Sequence, residues 1–115
     1  MAGPVSPLAP AAFPALPPVA GVRFAAGEAG VRYKGRPDVM LALLDPGSVV
    51  AGVFTRSATR SANVLDCQAK IGADSAEGAA IIVNSGNSNA FTGKAGEGSV
   101  AAICEAVATG TGLPA

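Results

Sequence analysis

A β-branched run that stops abruptly in a polar loop constrains this chain more than any other stretch. Ile81-Ile82-Val83, preceded by Ala79 and Ala80, is apolar at every position rather than at alternate ones. A strand of that kind is expected to be central, with both of its faces covered. It runs straight into Asn84-Ser85-Gly86-Asn87-Ser88-Asn89-Ala90-Phe91-Thr92-Gly93. Asn side chains and glycines able to reach φ > 0 concentrate donors, acceptors and backbone freedom there. Open α/β sheets place their ligand crevices at the carboxyl ends of strands. The same residue types also build ordinary strand-to-helix turns, so the loop reads either as a turn or as part of a site.

Around this stretch the pattern is strands first, then strand, loop and helix. Gly21 to Ala25 and Gly30 to Lys34 read as two strands of a hairpin joined by Ala26-Gly27-Glu28-Ala29. Val39 to Leu44 reads as a third strand, closed by Asp45-Pro46-Gly47, and Val49 to Phe54 as a fourth. Ser61 to about Lys70 is expected to be a short helix with Ser61 as its cap. Gly98 to Ala108 gives the clearest helical spacing, with Val100, Ile103, Cys104 and Val107 on one side. Ser99 is a candidate cap, and Gly110, Gly112 and Pro114 are expected to stop that helix. This order indicates an α/β sandwich with mixed strand pairing.

Residues 1–18 differ from the rest. Six of the nine prolines lie there, with no charged side chain among them. Proline fixes φ and removes donors, so the segment reads as an extended Pro-rich arm that Phe13 and Leu16 would pin down. Residues 19–115 form the second unit, the α/β domain proper. Its apolar content is Ala, Val, Leu and Ile with fourteen glycines, three Phe, one Tyr and no Trp. Small side chains bury little area each, which suits a piece of a larger α/β body better than an autonomous domain.

Charge and cysteine usage exclude several classes. Eight basic and eight acidic residues cancel, so nothing marks a nucleic-acid or anionic-membrane surface. The apolar runs fall well short of the ~20 residues that span a bilayer. No Lys or Arg precedes Arg23, so a secretory n-region is missing and a cytoplasmic location is expected. There is no His, and Cys67 and Cys104 stand alone. No metal site is expected, and both thiols should be small buried hydrophobes.

Two further arrangements invite comparison with known chemistry. Gly86 to Lys94 follows a strand, yet its glycine spacing and Ala95 depart from a phosphate-binding loop. Arg56, at the end of the fourth strand, either offers a guanidinium to a carboxylate substrate or pairs with Asp66 or Glu77. The acids are scattered singly, which leaves no carboxylate pair for acid/base work.

The wording of the loop goes further than its residue types. Asn84-Ser85-Gly86-Asn87-Ser88-Asn89-Ala90 followed by Thr92-Gly93 resembles the Asn-Ser-Gly-x-x-Asn-Ala-x-Thr-Gly signature of ornithine acetyltransferases. These are the bifunctional glutamate N-acetyltransferases of arginine biosynthesis. Ala51-Gly52-Val53-Phe54-Thr55-Arg56, Ala62-Asn63-Val64-Leu65, Gly21-Val22-Arg23 and Gly35-Arg36-Pro37-Asp38 are similar to further segments of that family, in the family's order. The likeness runs from about Val19 to Ala115.

The resemblance implies a mixed-sheet α/β sandwich of the self-cleaving ornithine acetyltransferase type, incomplete in this chain. It also implies acetyl transfer from N-acetylornithine, and in some members acetyl-CoA, to glutamate. In the family a precursor cuts itself before a Thr in a Met-x-x-x-x-Ala-Thr context, and the amine freed there serves as base. A Ser-Thr-Gly-x-Ile-Gly segment supplies the oxyanion hole. Neither motif occurs here, so the nucleophilic Thr and the oxyanion segment are expected beyond Ala115, and the chain is expected to be the N-terminal part of an α-chain without activity of its own. Its partner would be the β-chain of the same precursor in an α2β2 assembly, with no cofactor. Asn84, Gly86 and Asn89 are the candidates for a loop that supports the site. Two alternatives remain: a self-cleaving aminopeptidase-type hydrolase of similar fold, and a non-catalytic interaction module built on the Pro-rich arm.

Overall fold

The computed structural model describes residues 4–115; the first three residues of the Pro-rich arm lie outside them. Five elements follow in chain order: β1 (Val22–Gly27), β2 (Val39–Leu44), α1 (Ala62–Lys70), β3 (Ala79–Asn84) and α2 (Gly93–Thr111). The strands form one sheet in the order β1-β2-β3. Both pairings are antiparallel, so the expected mixed pairing is not what the described residues form. β3 is an edge strand rather than a central one.

Cross-strand partners lie on one face of a pleated sheet, and successive residues alternate between faces. Phe24, Ala42 and Ile81 make one row; Ala26, Met40 and Val83 make the next on the same side. Ala25, Leu41 and Ile82, then Arg23, Leu43 and Ala80, line the opposite side. Both faces are therefore apolar, as the unbroken run in β3 demands. The two helices nevertheless pack chiefly against one another, leaving the sheet faces open. Ile81, Ile82 and Val83 are 36–48% exposed and Phe24 is 70% exposed. The expectation that β3 is covered on both sides is not met within this chain.

Only Ala42, in the middle strand, and Val100, on α2, are buried hydrophobes among the described residues. The Cα radius of gyration is 16.1 Å, against about 13 Å for a compact domain of this length. The accessible surface is 8782 Å², where a compact monomer of 11.1 kDa exposes about 5,700 Å². The small-residue composition has produced ordered elements without a closed core.

Two expected strands are absent. Gly30 to Lys34 is irregular, because β1 pairs directly with β2 and residues 28–38 form the connection. Val49 to Phe54 has no pairing partner, and Val53 is 98% exposed. Arg56 therefore does not stand at a strand end. Residues 4–20 lack strand or helix, and Phe13 is 89% exposed, so neither it nor the exposed Leu16 pins the arm.

The helices answer differently to their sequences. α1 starts after Ser61 as expected, although the Ser61 side chain makes no capping hydrogen bond. α2 begins at Gly93, five residues before the expected start, and Ser99 sits inside it with its hydroxyl donating to the Ala95 carbonyl at 3.0 Å. Its inward stripe is Gly96, Val100, Cys104, Val107 and Thr111, while Ile103 stays exposed. Gly112 ends it in the left-handed region (φ 77°), donating its N–H to the Ala108 carbonyl.

Candidate functional site

The loop after β3 leaves the sheet beside the connection that precedes β2. Ser85 donates its N–H to the Asp38 carbonyl at 2.8 Å, and Asp38 donates its own to the Gly27 carbonyl at 3.0 Å. These bonds continue the sheet by one rung at the end where β1 and β3 finish and β2 begins. The connection 28–38 and the loop 84–92 thus share one end of the sheet.

Asp38 organises that end. It is 4% exposed, and its two carboxylate oxygens accept the Ala29 N–H at 2.6 Å and the Val31 N–H at 2.7 Å. Hydrogen bonding from Ala29, and then from Val31, outweighs the opposing effect of burial and holds the carboxyl below its ordinary 3.8. Within the irregular run 30–34, the Val31 N–H therefore turns inward to a side chain instead of pairing in a hairpin. Glu28 braces the same connection by accepting the Gly35 N–H at 2.8 Å.

Gly86 sits against this connection. Its φ is +90°, and a Cβ there would stand 2.8 Å from Arg32 Cβ and 2.9 Å from the Tyr33 ring. Only glycine fits both the conformation and the space. Over the Tyr33 ring lies the Arg36 guanidinium, 3.7 Å from the centroid, with that of Arg32 at 5.9 Å.

The structure divides the three candidate loop residues between two settings. Gly86 faces Tyr33, and Asn84 is exposed, its Nδ2 donating weakly to the Asn87 carbonyl at 3.5 Å. Asn89 lies at the junction of the helices, where its carbonyl accepts the Ala62 N–H at 3.3 Å and the Thr92 hydroxyl at 3.0 Å. Phe91, with φ +56°, turns the chain into α2. A shallow cavity of about 180 Å³ opens there among Thr59, Arg60, Asn89, Phe91 and Glu97. Asn89 thus works through its main chain, tying the start of α1 to the start of α2.

The remaining candidates resolve plainly. Lys94 is an exposed side chain in the first turn of α2. Asp66 pairs with Lys70, Nζ to Oδ1 3.0 Å, and this is the one ion pair among the described residues. Arg56 pairs with neither Asp66 nor Glu77. The cysteines are not the buried hydrophobes expected: Cys67 is exposed and Cys104 half-buried, with the Cys104 thiol 3.6 Å from Asp66 Oδ2. Partial burial, and then the Asp66 charge beside it, push the Cys67 thiol up. Burial draws Lys70 down, but its bonds to Asp66 and Cys104 outweigh that and raise it. Sequence reading did not find the Arg32–Tyr33–Arg36 cluster; three cations at alternate positions around one Tyr were the signal.

Comparison with known proteins bears on the whole of this region. The family model described as the ArgJ family matches residues 23–115. This chain belongs to the ArgJ family. A protein of Ruegeria pomeroyi named arginine biosynthesis bifunctional protein ArgJ is 72% identical over 110 residues, covering 96% of this chain and 27% of the relative. Relatives of the same name from Bradyrhizobium diazoefficiens and Nitrobacter winogradskyi are 52% and 60% identical, covering 97% and 80% of this chain. The chain spans about a quarter of the length of these curated relatives, 22–27%. No solved structure matches it significantly. Among the described residues no helix is long and apolar enough to cross a membrane.

Proposed function

We propose that this chain forms the N-terminal part of a glutamate N-acetyltransferase of arginine biosynthesis, acting in the cytoplasm on N-acetylornithine and glutamate. The observation that carries this reading is the family match over residues 23–115, together with 72% identity to a relative named for arginine biosynthesis. The acetyl group would pass from N-acetylornithine to a Thr hydroxyl, releasing ornithine, and then to the glutamate amine. That Thr and its oxyanion donors would belong to sequence beyond Ala115, in a self-cleaving precursor whose β-chain joins the α-chain in an α2β2 assembly.

The role left to these residues is support. Asp38 draws the 28–38 connection into a fixed shape, Gly86 lets the loop after β3 seat against it, and Asn89 joins that loop to both helices. A loop held at both ends can carry neighbouring catalytic groups without drifting.

The test is acetyl transfer by the full-length polypeptide that contains this segment, with residues 1–115 as the comparison. The long protein should convert N-acetylornithine and glutamate to ornithine and N-acetylglutamate, and the short one should not. Turnover by residues 1–115 alone, or hydrolysis to acetate with no transfer to glutamate by the long protein, overturns the proposal.

A further inference from the structure

We propose that residues 13–19 of the Pro-rich arm form a polyproline-II ligand that seats in the groove beside Phe91 of a second copy of this chain. Independent of the transferase reading, this contact would help to hold the copies together. Residues 13–19 carry no charge and lie in no helix, strand or turn. Their main chain makes no hydrogen bond among the described residues. Pro14 and Pro17 decide how such a segment can bind. Three residues apart, they point to opposite edges of an extended strand, so either edge would lack a donor and strand addition fails. A polyproline-II helix instead repeats every three residues. It places Phe13, Leu16 and Val19 on one edge and Pro14 with Pro17 on the next. Phe13 is 89% exposed and Leu16 82%, so this apolar edge faces solvent on its own chain.

The matching surface lies where α1 and α2 meet. Phe91 is held there in the left-handed region (φ +56°), a conformation uncommon for an aromatic residue, and it is 86% exposed. Beside it, Ala62 and Leu65 wall the shallow cavity of about 180 Å³. Proline-rich ligands dock on aromatic-lined grooves, and their helix has no internal hydrogen bonds, so their carbonyls need donors from the partner. Phe91 and Leu65 supply the apolar wall. Arg60, also on the cavity, gives one Nη1 bond to Gln68 at 2.9 Å and keeps further N–H donors for arm carbonyls. The fit is not made within one chain, because Phe13, Leu16 and Phe91 are all more than four-fifths exposed. A second copy makes it twice, since a two-fold pair exchanges arm for groove reciprocally. Aromatic side chains bury ~150–250 Å² each, so the four rings of two such seats contribute about 600–1,000 Å² toward the ~1,200 Å² of a stable interface.

The test uses the full-length polypeptide, co-produced as two copies with different affinity tags, one carrying a photo-crosslinking residue in place of Phe13. Pairs isolated through both tags and illuminated should yield a peptide joining position 13 of one copy to residues 85–97 of the other. Adducts confined to one copy, adducts elsewhere on the partner, or no adduct at all overturn the proposal. Sedimentation of the untagged protein then measures association. F13S/L16S and F91N should each raise the dissociation constant between copies about tenfold or more. P14A/P17A should raise it by less, because the arm loses preorganisation and keeps its apolar edge. In F91N the ring is removed while Asn still tolerates the left-handed backbone. Unchanged association in either F13S/L16S or F91N, or a wild-type protein that is monomeric, overturns arm exchange. Acetyl transfer enters neither measurement, so failure here leaves the proposed activity untouched.

Discussion

Gly86 and Asp38 show how much of one end of the sheet depends on single residues. Gly86 meets two demands at once, a φ of +90° and no room for a Cβ beside Arg32 and Tyr33. Gly86→Ala should therefore destabilise the full-length polypeptide by about 1–2 kcal/mol from the backbone alone. Asn84→Ala removes one long, exposed hydrogen bond and should cost under ~1 kcal/mol. Urea unfolding midpoints of the two variants check the ordering. Asp38 supplies a pH signature. Its native carboxyl titrates below its ordinary 3.8, so its stabilisation is complete above that value and is lost as pH falls through the depressed one. Wild type should be more stable than D38N near neutral pH, and the gap should shrink as pH falls below the ordinary carboxylate value of 3.8. Melting temperatures from neutral pH into acid test it, and a gap that widens in acid would contradict the role given to Asp38.

At the scale of elements, the helix pair rests on the inward stripe of α2. Val100, its buried hydrophobe, should lose about 1–2 kcal/mol on truncation to Ala. Ile103→Ala, on the exposed flank, should lose less, as urea midpoints would show; the reverse order would mean that the helical spacing, which also included Ile103, describes the packed face better. Elements whose partners lie close in sequence order were legible. Val39 to Leu44 forms the strand that its apolar run indicates, the run Ala79 to Val83 forms a strand that takes in Asn84 as well, and α1 begins after Ser61. Two misreadings share a cause. Gly30 to Lys34 alternates like a strand, but the Asp38 carboxylate takes the Val31 N–H, a contact between residues that periodicity does not report. Val49 to Phe54 has strand composition and no strand to pair with. The start of α2 was hidden by Gly93, Gly96 and Gly98, which read as loop; all three are helical, with Gly96 buried and its N–H donated to the Thr92 carbonyl. The candidate site was legible as a loop, from its Asn, Gly and Thr residues. Its neighbours were not, since only the fold brings Tyr33 against Gly86.

For the molecule as a whole, the sheet states its own requirement. Its three strands are apolar on both sides, and the helix pair stands largely clear of them. Surface beyond that of a compact monomer, at ~25 cal/mol per Å² for its apolar part, is stabilisation these residues leave unrealised. The chain matches only about a quarter of the length of its relatives. These elements should be stable only when both sheet faces are covered. The most direct measurement is thermal unfolding of residues 1–115 with a hydrophobic-surface dye, alone and inside the full-length polypeptide. Alone, the chain should bind dye strongly and melt without a cooperative transition; in the long protein, dye binding should vanish and melting should be sharp. A sharp transition with no dye binding from residues 1–115 alone would show that the sheet needs no such cover.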